Sequence, residues 1–190
     1  MGQIIAMMGI SLDGFIEGPN REIDWHRVDE PLHQHMNDVL RETGAFVSGR
    51  ITYELMASYW PTADADPTEP ASIREFAAIW RDAPKYVYST TLQSADWNTT
   101  VFSEVRAADV VALANSVEGD VVVGGAVLID EFRRLDLIDM YRVYVHPVLI
   151  GRGRPYFRDS DTFTDLELVE TQVFANGVVL LLYRRIASTS

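Results

Sequence analysis

In Asp120-Val121-Val122-Val123-Gly124-Gly125-Ala126-Val127-Leu128 a run of valines meets two glycines and then a helix-forming stretch. The valines read as a buried strand, and the chain must turn at once into a helix expected from about Ala126 to Leu135. Paired glycines at such a junction let a ligand approach the backbone without Cβ obstruction. The helix start then points free N–H groups at an anion such as a pyrophosphate. A tight turn that merely needs glycine accounts for the same residues equally well, and the stretch alone leaves both readings open. It is neither the dinucleotide fingerprint G-x-G-x-x-G nor a Walker loop, which carries a lysine after its second glycine.

Upstream, the same alternation of strand and helix repeats. Gln3–Met8 is a short apolar run that predicts a first strand, and Ser11–Ile16 predicts a loop punctuated by Gly14. Asp29-Glu30-Pro31 predicts a helix start, with a capping carboxylate and a proline in the first turn. Leu32, Met36, Val39 and Leu40 follow at helical spacing, and Gly44 is expected to end that helix. Ala45–Ser48 predicts a second strand and Ile51–Ser58 a second helix. Pro61–Pro70 is a loop. Ile73, Phe76, Ala77 and Trp80 mark a third helix, Lys85–Ser89 a third strand, and Val105–Ser116 a fourth helix. Downstream, Met140–Leu149, Leu166–Phe174 and Val178–Tyr183 are β-rich, and Asn176-Gly177 between the last two is a hairpin signal. Alternating strands and helices followed by a terminal hairpin define an α/β fold, with a mostly parallel central sheet and a C-terminal antiparallel hairpin.

With 190 residues, 47% of them hydrophobic and 23% charged, the chain fits one globular domain spanning residues 1–190. No apolar run approaches the roughly 18 residues of a membrane span, and the start lacks the basic region of a signal peptide. The absence of cysteine excludes disulfides, thiolate nucleophiles and zinc-thiolate sites, so a cytoplasmic protein is expected. A net charge of −12 argues against nucleic acid as a partner, since phosphate backbones need a basic face. It leaves room for a small anionic ligand, which needs only one or two local cations and a few aimed N–H groups.

Ser48-Gly49-Arg50-Ile51-Thr52 also joins a strand end to a helix start. It adds an arginine, whose planar fork suits phosphate, and a threonine hydroxyl; an exposed arginine and a capping threonine would look the same. Ser89-Thr90-Thr91 places hydroxyls after the third strand. Polar strand ends gathered at the carboxyl edge of one sheet fit the rule for ligand crevices in open α/β folds. Asp24-Trp25 and Asp29-Glu30 set carboxylates beside a bulky aromatic, where a carboxyl group can relay a proton; for Asp29 the competing role is the helix cap. His33 and His35 are too close in sequence to share a helix face as metal ligands, and no metal site is expected. His26 and His146 are isolated and read as structural, and so does the basic island Gly151-Arg152-Gly153-Arg154-Pro155. No G-x-S-x-G elbow supports a serine hydrolase.

In order along the chain, Met8-Gly9-Ile10-Ser11-Leu12-Asp13-Gly14-Phe15-Ile16, Asp24-Trp25, Gly49-Arg50-Ile51-Thr52-Tyr53-Glu54, Val123-Gly124-Gly125 and His146–Pro155 resemble the dihydrofolate reductase-like superfamily. The resemblance is to the branch related to the reductase domain of bacterial riboflavin biosynthesis. It implies the three-layer dihydrofolate reductase-like fold and NADPH as hydride donor. By that resemblance Gly49, Arg50, Thr52, Ser89 and Thr90 hold the adenosine phosphates. Gly124, Gly125, Ala126, Val127 and Leu128 hold the pyrophosphate and nicotinamide side, with Ile16 packed near the nicotinamide. Asp29 or Glu30 stands near the acidic residue of dihydrofolate reductases, which marks Asp29 as a catalytic candidate; the separate Asp24-Trp25 match makes those two residues substrate candidates. Val123 replaces the glutamate that the riboflavin branch usually carries before its glycine pair, which points away from a pyrimidine substrate.

The leading expectation is therefore an NADPH-dependent reductase of a small heterocyclic substrate. The second is a pterin or pyrimidine reductase, and the third a non-catalytic nucleotide-binding protein on the same fold. Analogy to the riboflavin branch also implies a homodimer. The β-rich C-terminal segment is expected at or near its interface, since its strand Val178–Tyr183 is apolar on both faces and needs cover on both.

Overall fold

The computed structural model describes residues 2–158, 160 and 163–186. The chain begins with strand β1 (Ile4–Ser11), the short strand β2 (Phe15–Glu17), helix α1 (Glu30–Leu40) and strand β3 (Thr43–Gly49). Helix α2 (Arg50–Ala57), a 3-10 turn (Trp60–Thr62), helix α3 (Ala71–Asp82), strand β4 (Lys85–Tyr88) and strand β5 (Thr99–Phe102) follow. Next come α4 (Ala107–Ser116), β6 (Asp120–Gly124), α5 (Ala126–Arg134) and β7 (Met140–His146). The two-residue strand β8 (Arg154–Pro155), β9 (Leu166–Val173) and β10 (Val179–Arg185) complete it.

Successive side chains of a strand face opposite sides of a sheet, and Val121, Val122 and Val123 are all buried. β6 therefore needs cover on both faces. Val121 and Val123 pack with Val110 and Ala114 of α4 and Ile129 and Phe132 of α5. Val122 packs on the other side with Leu40 of α1, Tyr53 of α2, and Phe76 and Trp80 of α3. Helices thus cover both faces of one eight-stranded sheet, in the order β5-β4-β3-β6-β1-β7-β10-β9. Every pairing from β5 to β7 is parallel, and β10 runs antiparallel to both β7 and β9. This is the three-layer architecture that the alternation implied, hairpin included. The hairpin turns at Gly177, with φ +86°, where the Gly177 N–H donates to the Phe174 carbonyl at 2.9 Å.

The structure departs from three local expectations. The loop expected over Ser11–Ile16 contains the start of β2, which pairs antiparallel with β8 in a separate two-stranded sheet. Gly44 lies inside β3 rather than ending α1, which stops at Leu40. A Cβ there would stand 2.4 Å from the Glu118 carbonyl, so glycine is needed for a close chain approach, not for a cap. β5 went unpredicted: it is a four-residue edge strand, following Trp97 and Asn98 in the left-handed region. Val178–Tyr183 falls on β10, with β7 on one side and β9 on the other. Among the described residues no helix is long and apolar enough to cross a membrane.

Candidate active site: a phosphate-side cleft and an apolar chamber

Two depressions meet at the carboxyl edge of the sheet. β3 and β6 are neighbours, with Ser48 opposite Gly124, and β4 flanks β3, with Tyr88 opposite Gly49. The helices that follow β3 and β6 therefore start side by side. A cleft of about 280 Å³ lies between these starts, lined by Ile16, Gly49, Arg50, Thr52, Gly125, Ala126, Val127 and Leu128, with Tyr88, Glu17 and Arg154. A shallower hollow continues from Arg50 and Tyr88 to Ser89, Thr90 and Thr91. All the residues expected to hold a dinucleotide except Gly124 thus lie along one connected groove. Gly124 lines the neighbouring depression described below instead.

The groove is built from backbone. α2 and α5 begin at Gly49 and Gly125, and neither has a capping side chain, so their first-turn N–H groups are uncommitted. Gly125 has φ +92°, and a Cβ on it would stand 2.8 Å from Thr52 Oγ1. Gly49 has φ −81°, and nothing lies within 4 Å of where its Cβ would be. Both features fit a pyrophosphate laid across two helix N-termini. Arg50 is half exposed and held by Glu54 at 2.7 Å, one turn along α2, so it must leave that partner to meet a phosphate. Arg154, in the basic island read as structural, pairs with Glu17 at 2.5 Å on the cleft wall. The rest of that island is structural: Asp13 accepts from the Ile150 and Gly151 N–H groups, and Gly153 packs against the Glu17 carbonyl.

Thr52 and Gly124 form the ridge to the second depression, a chamber of about 750 Å³. Its walls come from β1, α1, α2, the 3-10 turn, α3 and β7, and include Met7, Met36, Met56, Trp60, Phe76 and Tyr144. Its titratable side chains are His26, Asp29, Glu30, His33 and His146, with the hydroxyls of Thr52, Tyr59 and Tyr144 also on the lining. Asp29 caps α1, its Oδ1 accepting from the Leu32 N–H at 3.1 Å, and still faces the chamber. The Glu30 carboxylate reaches across to α3 and accepts from the Ser72 N–H at 3.2 Å and Ser72 Oγ at 2.7 Å. The Ser72 bonds hold Glu30 below the usual carboxylate range.

His26 and His146, isolated in sequence, come together with ring centroids 4.7 Å apart. Gly9 makes room for them, since a Cβ there would stand 3.0 Å from His146 Nε2 and 3.2 Å from His26 Nε2. His146 Nδ1 accepts from the Arg27 N–H at 3.0 Å, which leaves the proton of the neutral ring on Nε2. Burial pushes His146 down to about 4, helped by His26 and Arg27, and burial also lowers His26 and His33. Trp25 packs on this pair at 4.1 Å from His26, and its indole N–H donates to the Glu22 carbonyl. Neither Trp25 nor the exposed Asp24 lines the chamber. No pattern of spacing announces the histidine pair, because its members lie far apart in the sequence. Among the described residues no group of three or more His, Asp or Glu is placed to hold a metal ion.

A doubly covered, mostly parallel sheet with one antiparallel strand and a glycine-built cleft at its carboxyl edge defines a protein of the dihydrofolate reductase-like class. Dihydrofolate reductase from Enterococcus faecalis, solved with NADP(H), superposes with a TM-score of 0.62 at 16% identity over 98% of each chain. A putative riboflavin biosynthesis protein from Shewanella sp. PV-4 superposes with a TM-score of 0.74 at 20% identity, over 97% of this chain and 99% of that one. The family model of the RibD C-terminal domain matches residues 3–180, and the chain belongs to that family. In sequence it is 32% identical to the uncharacterised Bacillus subtilis (strain 168) protein YyaP, over 95% of this chain and 94% of the relative.

Proposed function

We propose that the protein is an NADPH-dependent reductase of a small heterocyclic substrate, with the groove holding the cofactor and the chamber the substrate. The observation that carries this reading is the pair of uncapped helix starts at Gly49 and Gly125, facing one cleft that opens beside an apolar chamber. NADPH would supply a hydride. Gly49, Thr52 and the Gly125–Leu128 turn would hold its pyrophosphate, Arg50 with Ser89 and Thr90 its adenosine phosphates, and Ile16 would pack against the nicotinamide. The methionine and aromatic walls would exclude water from the hydride path.

Addition of hydride to a ring double bond also needs a proton. His26 and His146 are neutral at pH 7 and cannot supply it as imidazolium, and the Glu30 carboxylate is held ionised by Ser72. Asp29 is the remaining carboxyl group on the wall and is the proposed relay for a proton drawn from solvent.

The reading includes a homodimer. Leu166, Leu168, Val169 and Val173 of β9 are exposed and continue a stripe of half-buried Val179, Leu181 and Tyr183 on β10. Such a stripe on a sheet edge calls for cover. Light scattering should give twice the 21.4 kDa chain mass, and a monomer at micromolar concentration would remove the dimer. The cofactor reading is tested by thermal melting. NADPH should raise Tm more than NADH, because a ligand that binds only the folded state stabilises it by mass action. No shift with either at millimolar concentration would favour a protein that binds no dinucleotide.

A further inference from the structure

The two halves of the site treat negative charge in opposite ways. On the cleft side the helix N-termini are open. On the chamber side both helix N-termini are already filled by the protein's own carboxylates. Asp29 takes the Leu32 N–H of α1, where Pro31 removes a second donor, and Glu30 takes the Ser72 N–H of α3. A helix start occupied in this way no longer offers its dipole or its N–H groups to a ligand. Cations are divided in the same sense. Arg50 and Arg154 line the cleft, and Arg21 and Arg158 line a hollow beside it. No arginine or lysine lines the chamber, and its three histidines are all lowered by burial. Arg27 lies nearby and meets His146 through its backbone N–H, with its own side chain exposed and off the wall.

A phosphate moved into that space would lose its hydration, meet two carboxyl groups and find no counter-charge, and buried charge without a partner is strongly disfavoured. A volume of about 750 Å³ walled by methionines, Trp60, Phe76 and Tyr144 suits fused planar rings. We infer that the chamber takes an uncharged, unphosphorylated polycyclic aromatic heterocycle and rejects phosphorylated ones. This rests on reading the chamber as the substrate site, and it separates the chain from any relative whose substrate carries a sugar phosphate.

The test is a binding ladder read by fluorescence quenching on the full chain without cofactor, using lumichrome, riboflavin and flavin mononucleotide. The last two differ only by a phosphate. Lumichrome and riboflavin should bind, and flavin mononucleotide should bind about tenfold more weakly than riboflavin or worse. Val28 lies on the rim, 47% exposed, so Val28→Lys should fold normally and narrow that gap by about threefold through its added charge. Flavin mononucleotide binding as tightly as riboflavin to the unaltered protein would overturn the inference, as would saturating lumichrome with no quenching. The NADPH melting shift, measured on the same samples, is independent of these outcomes. Its loss alone would remove the reductase reading and leave the chamber's preference standing.

Discussion

The cleft and the chamber share the Thr52–Gly124 ridge, yet they are made by different means. The cleft is set by backbone, where glycine N-caps leave two helix starts without a capping side chain. The chamber is made of side chains from elements scattered between Met7 and His146. A backbone-built site is specified by a few local residues and tolerates no Cβ at its tightest point. A side-chain-built site is specified by packing and by the charges it omits. The difference predicts that single substitutions on the cleft act sharply, and that those on the chamber act through preference.

The largest contrast should lie within the cleft itself. Gly125→Val combines a φ of +92° with a Cβ 2.8 Å from Thr52 Oγ1, and should lower stability by about 1–3 kcal/mol while abolishing NADPH binding. Because fold and binding fall together there, Gly49→Ala is the cleaner probe, with ordinary φ and open space around the new methyl. Calorimetric titration should show weakened NADPH binding with an unchanged circular dichroism spectrum. A folded Gly49→Ala that binds normally would move the pyrophosphate elsewhere.

Arg50→Ala should come next, costing NADPH about 1.5–3 kcal/mol and NADH far less, as expected for one lost charge-assisted contact. Equal losses would show that Arg50 does not read the 2′-phosphate. On the chamber side, Asp29→Ala should cost about 1 kcal/mol of stability through the lost cap, whereas Asp29→Asn, which caps as well, should cost almost none. Slowed turnover in a fully stable Asp29→Asn would support the proton relay, and unchanged turnover would leave Asp29 as a cap only.

The last effect is a slope in pH. His146 sits at about 4 when folded against an ordinary 6.5. Between those values the unfolded chain binds a proton there and the folded chain does not, so stability is complete above 6.5 and falls as pH drops towards 4. Urea unfolding across that window should show a shallower loss for His146→Asn, which keeps an acceptor for the Arg27 N–H. An unchanged slope would place the acid sensitivity elsewhere.

The same contrast explains what could be read from the chain alone. Val121-Val122-Val123-Gly124-Gly125 and Ser48-Gly49-Arg50 each carry strand, turn and helix start within a few residues, so the sheet's carboxyl edge and its cleft were legible. The resemblance placed Ile16, Ser89 and Thr90 along the same groove, and the structure lines them there. The chamber was not legible, because Gly9, His26 and His146 meet only when β1 pairs with β7. Asp24 and Trp25 were expected at the substrate, but the wall passes to their neighbour His26 instead. The short strands β2, β5 and β8 carry too little pattern to register against loops.

A crystal structure with NADPH bound tests the division most directly. The account predicts the pyrophosphate between the Gly49–Thr52 and Gly125–Leu128 turns, the adenosine towards Arg50, Ser89 and Thr90, and the nicotinamide at the Thr52–Gly124 ridge facing an empty apolar chamber. A dinucleotide whose phosphates lie in the chamber, against Asp29 and Glu30, would contradict it.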